Sequence, residues 1–397
     1  MSSEYANPAF GPRLVFFTGG TALRQLSRVL TRFTHNSVHL VTPFDSGGSS
    51  AALRRAFAMP AVGDMRNRLL ALADRDLIPG AVLEFCASRL PDNDGLENGE
   101  ILRQRLRNMA AGDHAVWSGM PAMFADALRF HLACFLQYMT SDFDPFHACL
   151  GNLVLAGGYL HHRRMFGPVL AFFSRLLQTR GVVLPVVEES LHLAALLEDG
   201  STVVGQHHFK TLSAPVRQLF LTVHEPDREM SEAERDHGAL IPCRPPLGGT
   251  VETYLRSAGA ICYPMGSFYS SVLANLLPQG VGRAVAAVPC PKIFIPSSGT
   301  DAELHGMTVA EQAATILRYL RADAPDAPTD SLLHTVIVDS HHGRYEGGLD
   351  AVERTRLKRL GLHLMDRDIV FENDPQHHAP EPTASALLEA SAAGGKT

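Results

Sequence analysis

The sequence predicts an α/β protein: a Rossmann-like, mainly parallel sheet with helices on both faces and one helical insertion. Two observations carry this expectation. Short runs rich in β-branched and aromatic residues alternate with segments of helical periodicity along most of the chain. The first two such runs flank a single helix within about thirty residues, which makes a βαβ unit with parallel pairing and a right-handed crossover.

The elements follow in order. Leu14–Thr18 is a β-rich run that ends in Gly19-Gly20-Thr21. A helical pattern follows, with Leu23, Leu26, Val29, Leu30 and Phe33 on one face, and Val38–Thr42 is the next strand. Asp45–Ser50 is a Gly/Ser loop, Pro60–Asp64 a second turn, and Met65–Asp74 a helix. From Pro79 to about Phe143 the periodicity is helical throughout, broken by the polar stretch Pro91–Gly99, and this is the insertion. Leu150–Gln178 is helical again. Short strands are expected at Val182–Val187, His192–Leu197, Thr202–Gly205 and Gln218–Val223. Gly259–Pro264 reads as a buried strand, Ser267–Leu277 as a helix, Lys292–Pro296 as a strand, Val309–Arg321 as a helix and Thr335–Val338 as a late strand. Residues 1–13 are an N-terminal extension, 14–375 a single domain with its insertion at about 79–143, and 376–397 an Ala/Pro/Ser/Gly tail expected to be disordered.

Composition narrows the function classes. The chain has 397 residues, 46% of them hydrophobic, and a formal net charge of −6. Without a basic excess, neither nucleic acid nor an anionic membrane surface is the expected partner. Six cysteines form no CxxC pair and several sit in apolar runs, which suits reduced thiols. Residues 1–10 lack an apolar signal core, and no apolar run approaches the ~18 residues of a membrane span, so a cytoplasmic protein is expected.

Two turns could hold a phosphate. In Thr18-Gly19-Gly20-Thr21, glycines between strand and helix let the backbone approach an anion, and the helix start supplies N–H groups and a positive dipole end. The turn lacks both the Walker A lysine and a full GxGxxG fingerprint. The second, Met265-Gly266-Ser267-Phe268-Tyr269-Ser270-Ser271, also follows a strand and opens a helix, with Ser267 as N-cap or donor. In a parallel sheet both turns emerge at the carboxyl edge, where such folds bind ligands. They are expected to open into one cleft with Asp45 and Asp64 beside them.

Between the two turns in the chain lies an acidic loop, Asp45-Ser46-Gly47-Gly48-Ser49-Ser50, with Asp64 in Gly63-Asp64-Met65-Arg66-Asn67 nineteen residues on. Two carboxylates plus phosphate oxygens are a usual Mg²⁺ environment, and Arg54, Arg55, Arg66 and Arg68 suit phosphate contacts. The plainer alternative makes Asp45 a turn former, Asp64 an N-cap and the arginines a solvated face. Four His doublets, 161–162, 207–208, 341–342 and 377–378, lack metal-site spacing. Among them His341, in Asp339-Ser340-His341-His342-Gly343 after a strand, is placed for a ligand-facing role.

These motifs together resemble the CofD/YvcK family. The resemblance rests on Thr18-Gly19-Gly20-Thr21, on Asp45 to Ser50, and on Pro60-Ala61-Val62-Gly63-Asp64-Met65-Arg66-Asn67. It extends through Gly151-Asn152-Leu153, Leu197-Glu198-Asp199-Gly200, and Gly266-Ser267-Phe268-Tyr269-Ser270-Ser271 to Asn275-Leu276-Leu277. It implies a Rossmann-like fold with a nucleotide-type ligand. On the same basis Asp45 and Asp64 are catalytic and metal-binding positions with Mg²⁺ as cofactor. Thr18, Gly19, Gly20, Thr21, Ser46, Gly47, Gly48, Ser49, Arg66, Asn67, Asn152, Gly266, Ser267, Tyr269 and Asn275 line the ligand. The chain looks closer to the YvcK branch, whose members bind UDP-sugars and act as regulators, than to the 2-phospho-L-lactate transferases. It departs from the family at Ser46, where a second Asp is usual, and at Ala22, where a third Gly is usual. Two readings follow: a regulatory binder of a nucleotide sugar, or a Mg²⁺-dependent transferase moving a phosphorylated group from a nucleotide diphosphate donor. The insertion covers the site or makes a homo-oligomer contact, and the sequence does not decide between them.

Overall fold

A computed structural model describes residues 7–93, 98–226 and 240–393. The chain divides into two compact units: 1–42 with 180–187 and 191–397, and 43–179 with 188–190.

The first unit is built on a seven-stranded sheet in which every pairing is parallel. Its strands are β1 (Leu14–Thr18), β2 (Val38–Val41), β3 (Val182–Pro185), β7 (Ala260–Tyr263), β8 (Lys292–Phe294), β9 (Thr335–Val338) and β10 (His363–Asp366). The spatial order is β10-β9-β8-β7-β1-β2-β3. β1, β2, β7, β8 and β9 are buried along their whole length, as a sheet covered on both faces requires. The order reverses beside β1: the chain moves from β1 toward β2 and β3, then returns to β7 on the other side. That switch places the turns after β1 and β7 side by side at the carboxyl edge. A separate antiparallel sheet comprises β4 (His192–Leu197), β5 (Thr202–Val204) and β6 (Val216–Thr222), with β4 in the centre.

One face of the large sheet packs Leu14, Phe16, Cys262, Ile293, Ile337 and Met365 against α1 (Arg24–Leu30) and against a helix at the chain's far end, Pro380–Ala393. That helix overturns the expectation of a disordered tail. Residues 370–371 and 374–378 form a two-stranded hairpin, β11 and β12, and the helix follows directly. Leu387 and Ala384 are fully buried, with Ala390 nearly so. The small residues that look like low complexity in one dimension lie on one helical face, where they let the backbone approach the sheet closely. Asp339, just past β9, anchors this segment. Its Oδ1 accepts from the backbone N–H of His341 and His342 at 2.9 and 2.8 Å, and its Oδ2 from Ile369 and Val370 at 2.9 Å each. Although burial pushes upward, these donors hold its carboxyl below the ordinary value.

The second unit is helical: α2 (Gly48–Phe57), α3 (Gly63–Leu72), α4 (Gly80–Ala87), α5 (Gly99–Ala111), α6 (Ala122–Tyr138), α7 (Leu150–His161) and α8 (Phe166–Leu176). The helical region is therefore larger than the expected insertion at 79–143. It begins at the acidic loop itself, because the turn residues of 45–50 run straight into α2. α6 packs closely on α7, where a Cβ on Gly157 would lie 2.0 Å from the His131 carbonyl. Among the described residues no helix is long and apolar enough to cross a membrane.

Candidate functional site

In the first unit the turns after β1 and β7 meet. Asn275, fully buried, donates from Nδ2 to the Thr18 carbonyl at 2.9 Å and to the Ser271 carbonyl at 2.7 Å, joining one turn to the other. The two glycines of the first turn have different duties. A Cβ on Gly19 would lie 2.8 Å from Ser271 Oγ and 3.0 Å from Thr42 Oγ1, so Gly19 is required by packing. Gly20 has φ +31°, and a Cβ there would meet nothing within 4 Å. α1 starts only at Arg24, whose N–H donates to the Thr21 carbonyl at 2.9 Å, so Thr21 lies in a turn before the helix.

The second turn departs from expectation. Residues 268–272 form a π-helical turn and 273–276 a 3₁₀ turn, in place of a regular helix. Its first N–H groups already have anionic partners. Phe268 donates to Asp301 Oδ2, and Tyr269 and Ser270 donate to Glu303 Oε2, each at 2.9 Å. Ser270 Oγ adds a 2.5 Å bond to Glu303 Oε1. Burial and the neighbouring Asp301 charge push the Glu303 carboxyl up to about 7, against the pull of these donors. Side-chain carboxylates thus occupy the dipole end that the sequence reading offers to a phosphate. The signal was present in Asp301-Ala302-Glu303, seven residues beyond β8. Tyr269 is buried, its hydroxyl 3.3 Å from Met307 Sδ. Gly266, at φ +149°, is pinned through its N–H and carbonyl by Ser297 Oγ, leaving Ser267 partly exposed at the edge. His341, three residues past β9, is 74% exposed in its side chain and pairs with Asp368 at 2.8 Å.

In the second unit three helix starts converge. A Cβ on Gly63, the first residue of α3, would lie 2.7 Å from Ser50 Oγ on α2, 3.5 Å from Asp45 Oδ2 and 3.7 Å from Asn152 Nδ2 on α7. Ser49 Oγ accepts from the Cys149 N–H at 3.1 Å and from Asn152 Nδ2 at 3.3 Å, tying α2 to the start of α7. The N-cap residues of the three helices, Gly47, Val62 and Cys149, make no cap bond through their own side chains. Asn152 is 2% exposed, and its Oδ1 has no hydrogen-bond partner among the described residues. Gly48 has φ +47° and a Cβ there would meet nothing within 4 Å. Asp45 closes an Asx turn through the Gly47 N–H at 3.0 Å. Ser46 is buried.

Of the four arginines the sequence singles out, Arg55 is exposed and the other three are not a solvated face. Arg54, Arg66 and Arg68 are buried, at 4%, 8% and 2% exposure. Arg54 donates to the carbonyls of Phe44 and Asp45 at 2.9 and 3.2 Å. Arg66 donates to Asn67 Oδ1 at 2.7 Å and to the Cys149 sulfur. Desolvation lowers the Arg68 guanidinium to about 10, and the charge of Asp64 opposes that shift. Asp64 therefore serves as a counter-charge for a buried cation. For Mg²⁺, Asp45 is a suitable hard oxygen donor. The described residues contain no cluster of three His, Cys, Asp or Glu side chains, so a metal there would depend on ligand phosphates for most of its shell.

Comparison with known proteins agrees with this architecture. The chain is 25% identical over 397 residues to the gluconeogenesis factor of Bacillus subtilis, covering 95% of this chain and 98% of that one. It is 26% identical over 384 residues to the gluconeogenesis factor of Halalkalibacterium halodurans, covering 95% of each. A crystal structure of a UPF0052 family member from Bacillus halodurans superposes with a TM-score of 0.67 at 22% identity, over 95% of this chain and 99% of the other, and so shares the fold. The model of the family described as 2-phospho-L-lactate transferase CofD matches residues 14–370, which spans the sheet, both edge turns and the convergent helix starts. On that match the chain belongs to the CofD family.

Proposed function

We propose that the protein binds a nucleotide sugar, or a closely related phosphometabolite, and works as a regulatory binding protein. The observation that carries this reading is the meeting of three helix N-termini, whose N-cap residues supply no side-chain cap of their own, at Ser49, Ser50, Gly63 and Asn152 in the second unit. Each start carries roughly half a positive charge, and each is worth about 0.3–1 kcal/mol to an adjacent anion, more where water is excluded. A diphosphate is the natural counter-charge. Arg66 adds a guanidinium held on neutral acceptors. Asp45, partly exposed, is placed to meet a ribose hydroxyl or a metal carried by the ligand. The gluconeogenesis factors named among the relatives support a role in control of metabolism.

The second reading is a Mg²⁺-dependent transferase, favoured by the description of the matching family. In it, Mg²⁺ would neutralise the diphosphate leaving group, and Asp45 would be its protein ligand. Titration calorimetry with UDP- and GDP-linked sugars, in Mg²⁺ and in EDTA, separates the two. The binding reading expects affinity in EDTA and recovery of intact ligand after incubation. Metal-dependent binding with ligand consumption would replace it by the transferase, and no binding to any nucleotide would remove both.

A further inference from the structure

Within the first unit a cavity of about 480 Å³ lies between β6, an edge strand of the small antiparallel sheet, and the helix Val309–Arg321. That helix leaves the carboxyl end of β8 and travels back toward the start of the parallel strand β9, so its last turn, with Arg318 and Tyr319, points to the amino ends of the strands. The cavity therefore lies on the side away from the turns after β1 and β7. We propose that it binds an amphipathic carboxylate, a fatty acid of medium chain length.

The floor is apolar, and its backbone polar groups are already used. Phe220, Pro242, Leu277 and Tyr319 present carbon surface to the cavity. Behind them the Leu219 N–H donates to the Tyr319 hydroxyl at 2.7 Å, and the Leu221 carbonyl accepts from the Cys243 N–H at 2.6 Å. Among the described residues, no buried side-chain atom that lacks a partner lines this cavity. A sugar or a base on this floor would give up hydrogen bonds to water without replacement, whereas an alkyl chain gives up none. The rim is cationic. Arg217, Arg244 and Arg318 are exposed there, and no Asp or Glu is among the lining residues. Arg244 pairs with Asp323 at 2.8 Å, a buried carboxylate that also accepts the Gly280 N–H at 2.6 Å. Arg217 and Arg318 are in no ion pair among the described residues. The Arg318 guanidinium sits 5.3 Å from the centre of the Tyr319 ring, which holds it at the rim. A guanidinium matches a carboxylate, and a head group left at the rim keeps most of its hydration. The volume falls in the range of small-molecule sites, roughly 300–1,000 Å³.

The test is titration calorimetry of the full chain with octanoate at low salt, with 1-octanol and acetate as separate arms. Saturable binding is expected for octanoate, with 1-octanol weaker by at least about fivefold and acetate weaker still. Hexanoate, two methylenes shorter, should bind about tenfold more weakly than octanoate. Arg217→Ala, at an exposed position, should weaken octanoate about fivefold and leave 1-octanol unchanged. Phe220→Ala, on the floor, should weaken both severalfold, with far-UV circular dichroism showing that the variant is folded. The proposal is overturned if octanoate does not bind, if 1-octanol binds equally tightly, or if Arg217→Ala leaves octanoate affinity unchanged.

Discussion

The paired glycines after β1 give the sharpest test of how the first turn works. Gly19→Ala inserts a Cβ at 2.8 Å from Ser271 Oγ, 3.0 Å from Thr42 Oγ1 and 3.1 Å from Ser271 Cβ, where ordinary contact begins at 3.4 Å. Overpacking of this kind costs about 1–3 kcal/mol. With a urea slope of about 2 kcal/mol/M, the unfolding midpoint should fall by about 1 M. Gly20→Ala meets no neighbour but must hold φ at +31°, a left-handed conformation that costs about 1–2 kcal/mol. Stability alone therefore separates the two poorly, and two further measurements decide. The first is a double mutant: Ser271→Ala removes the closest atom, so Gly19→Ala/Ser271→Ala should recover about 1 kcal/mol relative to additivity. Ser271→Ala should give Gly20→Ala no such relief. The second is ligand affinity, because the Gly20 Cβ would project into open space where a ligand backbone contact is expected. If the first turn holds the ligand, as the sequence predicts, Gly20→Ala lowers nucleotide-sugar affinity at least about tenfold, while Gly19→Ala in the Ser271→Ala background keeps it. Unfolding is followed by far-UV circular dichroism, since the one tryptophan, Trp117, lies in the other unit. A wild-type midpoint for Gly19→Ala would refute the packing argument, and wild-type affinity for Gly20→Ala would make that turn purely structural.

Three other perturbations address different parts of the molecule. The Glu303 carboxyl, raised from 4.5 to about 7, makes a contribution to stability that is complete below pH 4.5 and lost as pH rises through 7. Glu303→Gln should remove that pH dependence, worth up to about 3 kcal/mol, and raise the urea midpoint at pH 8; an unchanged profile between pH 4.5 and 8 would count against it. Leu387→Ala, in the helix that replaces the expected disordered tail, should cost about 2–5 kcal/mol, whereas a neutral effect on the midpoint would mean the helix does not dock. Ser46→Asp restores a second carboxylate at a buried position, so it should lower the thermal midpoint without metal and make it rise with added Mg²⁺; indifference to Mg²⁺ would show that Asp45 and the introduced carboxylate together do not make a metal site.

What the sequence revealed and what it concealed have physical reasons. Strands such as Leu14–Thr18 and Thr335–Val338 were legible because a sheet covered on both faces demands unbroken apolar runs. The glycine turns were legible because positive φ and close approach leave few other residues. Asn152 and Gly63 could be joined to Asp45 only through the family resemblance, since contacts between distant stretches of chain leave no periodic trace. The pairing of residues 268–270 with Asp301 and Glu303 was hidden for the same reason, although the two carboxylates themselves stand out in the sequence: they come from a loop more than thirty residues away. The C-terminal helix was misread because Ala, Ser and Pro carry a disorder signature in composition, while burial depends on which of them share a face.

The charge balance of the second unit bears on the choice between the two proposed readings, direct and metal-mediated anion binding. Buried there are Arg54, Arg66 and Arg68. Asp64 is drawn to Arg68, Arg54 leans on carbonyl oxygens, and Arg66 on an amide oxygen and a sulfur. A second Asp beside Asp45 would add negative charge at a buried site, a cost that a divalent cation could offset. Serine at position 46 removes that charge and with it the strongest electrostatic reason for a metal to settle there. What remains is three helix starts and a guanidinium on neutral acceptors, set against the single carboxylate of Asp45. On the proposed reading such a site would hold a diphosphate without metal, and a diphosphate so held is stabilised in its ground state rather than activated as a leaving group. The same substitution that weakens the case for transfer therefore strengthens the case for a protein that reads the concentration of its ligand.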